Sequence, residues 1–245
     1  MESHLASNLY RQLFRIRTVE QEIARVYPSD VIKSPIHLSI GQEAISVGVC
    51  DLLRKEDIVF GTYRGHALYL AKGGNLNSMM AELYGKVDGC CRGKGGSMHL
   101  LDSSVNVMQT SAIVATSIPQ AVGYAMSIKY RSSDKVVVCF FGDGATNEGA
   151  FYESINFASL KHLPILFVCE NNDYAIHSSV RSRSAQTEIY KIAEANNIES
   201  HVIKDNDVFK IRKLSNNLIN KIRRGGGPRF IEAYTYRYLE HVGPN

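Results

Sequence analysis

Apolar residues in the second half of the chain form short, nearly continuous runs that are separated by longer stretches of mixed polarity. Continuous apolar runs predict buried strands, and mixed stretches with apolar positions three or four residues apart predict helices. The predicted strands are 135–141, 164–170, 200–204 and 229–236, and the predicted helices are 119–130, 147–161, 187–196 and 207–223. This alternation is typical of a mainly parallel sheet flanked by helices, so the sequence predicts an α/β fold.

The first half of the chain shows helical periodicity more than strand-like runs. Apolar positions from Leu9 through Ile16 to Ile23 recur at three- or four-residue steps or their multiples, and they predict an amphipathic helix over 5–26. Further predicted elements are helices at 41–53, 65–72 and 76–84, a short strand at 58–61 and a glycine-rich loop at 85–96. Because no internal repeat or proline-rich linker divides the chain, we expect a single domain over 1–245, with 1–30 as an N-terminal helical extension.

Composition and charge argue against several classes of protein. The chain has 245 residues, of which 44% are hydrophobic and 21% charged, and this is the composition of an ordinary folded protein. Its 28 basic and 24 acidic residues are spread evenly, which does not favour nucleic-acid binding, and no apolar run approaches the roughly 20 residues of a membrane-spanning helix. The cysteines are odd in number, which favours reduced thiols. We therefore expect a cytoplasmic protein without a nucleic-acid or membrane partner.

Polar residues follow the two most apolar strands at the point where each strand ends. The first strand leads into Gly142-Asp143-Gly144, and the second leads into Asn171-Asn172. The 26 residues between Gly144 and Asn171 suit one crossover helix and its strand, which would make the two strands parallel neighbours. Asp143 and Asn172 would then lie side by side, and their oxygens are ligands of the kind that Mg2+ prefers. The alternative is structural, with Asp143 capping a helix and the asparagines forming a turn.

Two other phosphate-binding patterns fit the glycine-rich segments less well. The turn at Gly142 shares with the dinucleotide fingerprint only its first two glycines, and Asp143 would place a carboxylate where a pyrophosphate lies unless a cation intervenes. The segment 92–97 imitates a nucleotide-triphosphate loop, but Lys94 is followed by Gly95 instead of Ser or Thr. We expect that segment to be a flexible loop carrying two cations.

The spacing from Gly142-Asp143-Gly144 to Asn171-Asn172 resembles the thiamine diphosphate-binding motif. Further segments are similar to the alpha subunit of the decarboxylating first component of 2-oxo acid dehydrogenase complexes, which acts on pyruvate, branched-chain oxo acids or acetoin. These segments are His37-Leu38-Ser39-Ile40-Gly41-Gln42-Glu43-Ala44, Tyr63-Arg64-Gly65-His66, Gly93-Lys94-Gly95-Gly96-Ser97-Met98-His99 and Tyr236-Arg237-Tyr238. The resemblance runs from about residue 8 to 243. It implies a thiamine diphosphate-binding fold and a thiamine diphosphate- and Mg2+-dependent enzyme that decarboxylates a small 2-oxo acid.

The resemblance also implies roles for individual residues. The implied Mg2+ ligands are Asp143, Asn172 and the main-chain carbonyl of Tyr174. The residues implied to bind the cofactor are Tyr63, Arg64, Ala112, Val114, Gly142, Asp143, Gly144, Ala145, Asn172 and Ile176. His37 and His241 align with histidines that face the substrate, and a histidine can exchange protons near neutral pH. His66 and His99 are weaker candidates, and His177 stands where the family has a loop around the cofactor, with its role left open by the sequence.

The family resemblance further implies a partner, because the glutamate that activates the cofactor belongs to a separate beta subunit. We therefore expect an alpha2-beta2 heterotetramer, and the sequence leaves open whether a lipoyl-bearing acyltransferase component is a further partner. Family members are longer, so the chain is expected to be shortened at its C-terminus. The segment Leu239-Glu240-His241-Val242 departs from the family pattern, and Val242 replaces a serine that some relatives phosphorylate.

Three alternatives to a 2-oxo acid dehydrogenase stay open on the sequence. The chain could be half of a transketolase-like enzyme, half of a thiamine diphosphate enzyme of carbohydrate biosynthesis, or an inactive assembly subunit that keeps the fold. The retained Asp143, Asn172, Tyr63, Arg64 and His37 argue against the inactive subunit.

Overall fold

A computed structural model describes residues 2–245, with side chains from Ser3 onward, and its centre is a six-stranded, fully parallel sheet. The strands are β1 (Ile58–Phe60), β2 (Val107–Gln109), β3 (Val137–Gly142), β4 (Ile165–Asn171), β7 (Glu199–Ile203) and β8 (Arg229–Tyr234), in the spatial order β2-β1-β3-β4-β8-β7. A separate antiparallel hairpin consists of β5 (Tyr174–Ala175) and β6 (Ser178–Ser179). The predicted α/β fold is confirmed.

Helices cover both faces of the sheet. The helices are α1 (Glu2–Val26), α2 (Glu43–Cys50), α3 (His66–Ala71), α4 (Leu76–Leu83), α5 (Ser117–Tyr130), α6 (Gly149–Leu160), α7 (Val180–Arg183), α8 (Ile189–Ala195) and α9 (Val208–Arg223). Along β3, Val138 and Phe140 join the core under α1, α2 and α9, whereas Val137, Cys139 and Phe141 join the core under α5, α6 and α8. The continuous apolar run in the sequence therefore reflects burial on both faces. Within residues 2–245, no helix is long and apolar enough to cross a membrane.

Three short elements were not predicted from the sequence. Strand β2 is three residues long and forms an edge of the sheet, and the β5–β6 hairpin and the four-residue helix α7 follow directly after β4. Helix α5 begins at Ser117, so Pro119 is its third residue and does not open it. Such short elements carry too few residues to show a period, so neighbouring structure decides their conformation.

The N-terminal helix α1 packs against α2 and α3 and forms part of the main core. Its apolar stripe is buried, and so is the carboxylate of Glu20, which accepts hydrogen bonds from the main-chain N–H of Ser39 and from Nδ1 of His66. The other ring nitrogen of His66 lies 2.8 Å from Oγ of Ser97. His66 is fully buried, so this weaker candidate joins α1 to the glycine-rich loop from inside the protein.

The glycine-rich loop is held by one buried carboxylate, although we expected it to be flexible. Glu82, at the end of α4, is fully buried. Its two oxygens accept four main-chain hydrogen bonds of 2.7–3.1 Å, which come from Cys91, Gly93, Gly95 and Gly96. Charge-assisted bonds of this kind are stronger than neutral ones, so the loop has a defined conformation that leads into Met98.

The segment after β8 folds back onto the start of α2, and Gly41 makes this contact feasible. Gly41 has φ +99°, and a Cβ atom at this position would lie 2.2 Å from the main-chain oxygen of Tyr236. The carbonyl of Gly41 accepts hydrogen bonds from Asn206 and Thr235. A glycine is therefore required both by the backbone conformation and by the close approach.

We expect Glu82→Gln to lower the free energy of unfolding by about 2–4 kcal/mol, because the amide leaves buried N–H donors without an acceptor. Urea denaturation measures this loss, and faster hydrogen exchange at residues 91–96 would locate it. Glu153→Gln is the matched control, since Glu153 is exposed on α6. An equal loss of stability in both variants would contradict the role of Glu82.

Candidate functional site

A cavity of about 400 Å³ lies where β3 and β4 end at the same edge of the sheet. Ligands bind at this edge in open α/β sheets. The cavity is lined by every residue to which the sequence assigned a catalytic, cofactor-binding or metal-binding role: His37, Tyr63, Arg64, Ala112, Val114, Gly142, Asp143, Gly144, Ala145, Asn172, Tyr174, Ile176 and His241. The structure thus brings all of them together, and their individual roles stay predictions.

Asp143 follows β3 directly and points its carboxylate into the protein. The side chain is only 1% exposed, and its Oδ2 forms an ion pair with Arg183 at the end of α7. The Arg183 guanidinium also donates to the main-chain oxygen of Asp143 and to the side chain of Asn147. Burial raises the pKa of Asp143, and the charge of Arg183 opposes this shift. Arg183 does not line the cavity, so the carboxylate lies between this arginine and the empty space.

The two asparagines at the end of β4 have different functions in the structure. Asn171 is buried and donates to Glu232 on β8 over 2.7 Å, so it joins neighbouring strands. Asn172 lines the cavity, donates through Nδ2 to Oε1 of Gln42 over 2.9 Å, and accepts through Oδ1 from the N–H of Tyr174. These two bonds fix the orientation of the amide, with Oδ1 as its acceptor end.

Arg64 is a buried cation that forms no ion pair with a carboxylate in residues 3–245. Arg64 is only 9% exposed. Its guanidinium donates to the main-chain oxygens of Leu38, over 2.6 Å, and His241, over 3.2 Å. Burial lowers the pKa of Arg64. A buried guanidinium without a counter-charge is unfavourable, so this wall of the cavity favours an anion.

His37, Tyr63 and His241 form an aromatic cluster beside Arg64. The ring centroids of His37 and Tyr63 lie 4.4 Å apart, and that of His241 lies 5.1 Å from His37 and 5.5 Å from Tyr63. Nδ1 of His37 is buried and has no hydrogen-bond partner in the described chain. Burial, reinforced by the charge of Arg64, lowers the pKa of His37 to about 3 and the pKa of His241 to about 4. Both rings are therefore neutral at pH 7.

Several cavity residues were not singled out from the sequence. They are Gln42, Met98, Glu148, Glu170 and Arg237. Gln42 and Arg237 lie inside segments that carried the family resemblance, so those segments could have suggested them. Glu170 is the last residue but one of β4, and burial raises the pKa of its carboxyl to about 7 while Arg64 opposes the shift. Nothing in the local sequence distinguishes it from a strand-end carboxylate on the surface.

The weaker histidine candidates do not line the main cavity. His66 is buried behind the wall, and His177 lines a neighbouring cavity of about 410 Å³ together with Tyr236 and Tyr238. His99 follows the glycine-rich loop, and its main-chain oxygen accepts from the thiol of Cys91 inside that loop.

The donor and acceptor groups of the cavity fit a diphosphate and a divalent cation. Asp143 and Asn172 supply carboxylate and amide oxygens, which suit a hard cation. Arg64 lacks a counter-charge and the buried Nε2 of Gln42 lacks an acceptor within residues 3–245, so both favour an anionic or acceptor group in the cavity. An anion bridged to Asp143 by a metal ion would satisfy both sets of groups, since the cation separates the like charges.

Comparison with known proteins gives one family and a set of relatives. The family model described as dehydrogenase E1 component matches residues 11–243. The alpha subunit of acetoin:2,6-dichlorophenolindophenol oxidoreductase from Bacillus subtilis is 38% identical over 95% of this chain and 70% of its own length. Pyruvate dehydrogenase E1 component subunit alpha from Porphyra purpurea is 40% identical over 98% of this chain and 72% of its own length. The chloroplastic subunit alpha-3 from Arabidopsis thaliana is 41% identical, with 95% of this chain and 56% of its own length covered.

Solved structures extend the likeness to the fold. A transketolase from Campylobacter jejuni superposes with a TM-score of 0.71 at 20% identity, over 96% of this chain and 40% of that protein. A putative thiamin diphosphate-dependent enzyme from Mycobacterium smegmatis superposes with a TM-score of 0.52 at 17% identity, over 84% of this chain and 34% of that protein. Both comparisons concern the fold alone.

The lowered histidine pKa values predict how stability depends on pH. The pKa of His37 is about 3 in the folded chain, below its unfolded value of about 6.5. Between these two pH values the unfolded chain binds a proton at His37 and the folded chain does not. The contribution of His37 to the free energy of unfolding is therefore fully present above about pH 6.5 and is lost progressively as the pH drops toward 4. We expect His37→Gln to reduce this slope by at most about 1.4 kcal/mol per pH unit between pH 4 and 6.

Urea denaturation at a series of pH values measures the slope. His4→Gln is the control, since His4 is exposed on α1 and should leave the slope unchanged. A slope in His37→Gln equal to that of the wild-type chain would contradict the buried, neutral state of His37.

Proposed function

Because the chain belongs to the dehydrogenase E1 component family, we propose that it is the alpha subunit of a thiamine diphosphate- and Mg2+-dependent 2-oxo acid dehydrogenase. The chain spans 56–72% of the length of the relatives compared with it, so the substrate and partners of the whole enzyme are part of this proposal. The observation that supports it most is the single cavity in which the diphosphate motif, an unpaired buried arginine and two neutral histidines meet.

The proposed cofactor site uses the two sides of the cavity differently. Asp143, the amide oxygen of Asn172 and the carbonyl of Tyr174 would hold Mg2+, and Tyr63 and Arg64 would hold the diphosphate. The hydrogen bond from Asn172 to Gln42 supports this assignment. It uses the amide nitrogen of Asn172, so the amide oxygen is the atom that can act as a ligand. The segment with Ala112 and Val114, which lines the same cavity, would contact the aminopyrimidine ring.

The reaction would depend on the cofactor for its carbon chemistry and on the chain for orientation and proton control. When bound, thiamine diphosphate supplies a nucleophilic carbon for the oxo group and takes up the electron pair released with carbon dioxide. His37 and His241, both neutral at pH 7, would form hydrogen bonds with the substrate oxygens. The buried residues around the two histidines would restrict the access of water to the reacting atoms.

A complete active site is proposed to need a beta subunit in an alpha2-beta2 heterotetramer. This partner is supported by the names of the relatives, which identify them as alpha subunits. A lipoyl-bearing acyltransferase is a further proposed partner, as the acceptor of the acyl unit. The cytoplasmic location stays a prediction, since one of the relatives is named as chloroplastic.

We expect Asp143→Asn to weaken Mg2+-dependent binding of thiamine diphosphate by about 100-fold or more, because an amide replaces the one charged ligand of the cation. Isothermal titration calorimetry of the chain with its partner, with and without Mg2+, measures the affinity. Asp173→Asn is the matched control, because Asp173 is exposed and has φ +69°, a conformation that asparagine tolerates. Unchanged affinity in Asp143→Asn would remove Asp143 from the metal site.

The overall activity is tested with the chain purified together with its native beta subunit. We expect carbon dioxide to be released from a 2-oxo acid in a panel that includes pyruvate and branched-chain oxo acids, and only when thiamine diphosphate and Mg2+ are present. Ketol transfer between sugars without carbon dioxide would instead identify a transketolase-like enzyme. Cofactor binding without turnover of any substrate would favour an inactive assembly subunit.

A further inference from the structure

Arg237 connects three parts of the cavity wall through its guanidinium. Nε donates to the main-chain oxygen of Leu239 over 3.1 Å, and Nη2 donates to the main-chain oxygen of Ile176 over 3.0 Å. The remaining terminal nitrogen, Nη1, lies 3.3 Å from Nδ1 of His241. Since each nitrogen has its own acceptor, the guanidinium is held in one orientation between the β5–β6 hairpin and the C-terminal segment.

In the contact between Arg237 and His241, the hydrogen bond can run in one direction only. An arginine side chain donates and has no acceptor, so Nδ1 of His241 must accept and cannot carry a proton. In a neutral imidazole the proton is then on Nε2. We propose that Arg237 is a positioning residue that locks His241 in the Nε2–H tautomer, so that His241 presents a hydrogen-bond donor, and not a base, to the substrate.

Other contacts restrict the ring in the same sense. The main-chain oxygen of His241 accepts from Arg64 over 3.2 Å, which fixes the backbone that carries the ring. The rings of His37 and Tyr63 contact the same imidazole nearly edge-on, with interplanar angles of 83° and 70°. His177 is the other titratable group whose charge acts on His241, and, like the two arginines, it disfavours the imidazolium. A neutral ring with a fixed tautomer is therefore the state consistent with all of its neighbours.

The consequence for catalysis rests on the proposed function. The Nε2–H group of His241 would donate to an oxygen of the 2-oxo acid, either of its oxo group or of its carboxylate. A donor at this point favours the state in which negative charge develops on that oxygen. Because Arg237 is needed to keep the donor form, its loss is expected to change the hydrogen-bonding group that His241 presents to the substrate.

The tautomer can be measured directly by nitrogen NMR of the full chain labelled with ¹⁵N-histidine at pH 7. The bare and protonated nitrogens of an imidazole have well-separated resonances, and comparison with His241→Gln identifies those of His241 among the eight histidines. We expect a bare Nδ1 and a protonated Nε2 in the wild-type chain. His66 is an internal reference for a protonated Nδ1. This nitrogen lies 2.9 Å from the Glu20 carboxylate, which accepts a hydrogen bond and does not donate one.

The variants separate positioning by Arg237 from a purely structural effect. In Arg237→Met we expect loss of the tautomer preference of His241, whereas Arg237→Lys, which keeps a donor-only group, is expected to retain an excess of Nε2–H. Arg181→Met is the matched control, since Arg181 is exposed on α7, and it should give the wild-type spectrum. Unchanged His66 resonances show that each variant is folded.

A protonated Nδ1 on His241 in the wild-type chain would overturn the inference even if no variant folds. So would an unchanged Nε2–H preference in Arg237→Met, or equal tautomer populations in Arg237→Met and Arg237→Lys. None of these readouts uses activity. A chain with the expected tautomer that decarboxylates no 2-oxo acid would contradict the proposed function and leave the assignment of Arg237 in place.

Discussion

The parallel pairing of β3 with β4 is the constraint on which the site depends. The register runs without interruption from Val137 opposite Ile165 to Gly142 opposite Glu170. Side chains alternate between the two faces of a sheet, so a slip of one residue would exchange the two cores and move Asp143 away from Asn172. The apolar side chains that fill both cores therefore also determine that a carboxylate and an amide meet at one edge.

A second feature of the site is the buried cation Arg64, which forms no ion pair with a carboxylate in residues 3–245. Within residues 3–245 the hydrogen bonds of the Arg64 side chain go to main-chain oxygens, and both histidines are kept neutral by burial and by the charge of the same arginine. The two histidines stay neutral in this cavity, whereas Arg64 keeps its charge without a counter-charge. An anionic ligand is therefore favoured. Burial in the same cavity raises the pKa of Glu170 to about 7. The protonation of this carboxyl near pH 7 therefore also depends on the charge of a bound ligand.

The sequence predicts the fold and the centre of the site because both follow from local patterns. A continuous apolar run, a crossover of suitable length and a polar strand end are enough to bring Asp143 and Asn172 together. The contacts of Arg237 could not be predicted in this way, because Ile176 lies 61 positions away and is reached only through the β5–β6 hairpin. Likewise, Glu82 looks like an ordinary helix-end carboxylate until the loop of residues 91–96 folds over it.

The position of Arg183 shows how the outer shell of the site reaches the proposed metal ligand. Arg183 forms an ion pair with Oδ2 of Asp143 and does not itself line the cavity. Burial raises the pKa of Asp143 and the charge of Arg183 opposes this shift, so the ion pair favours the charged carboxylate that a divalent cation requires. Since Arg183 is carried by α7, the short helix that follows the hairpin, the same segment supports both Asp143 and, through Ile176 and Arg237, His241. The proposed metal ligand Asp143 and the contacts of Arg237 with His241 are therefore linked to one segment, residues 174–183.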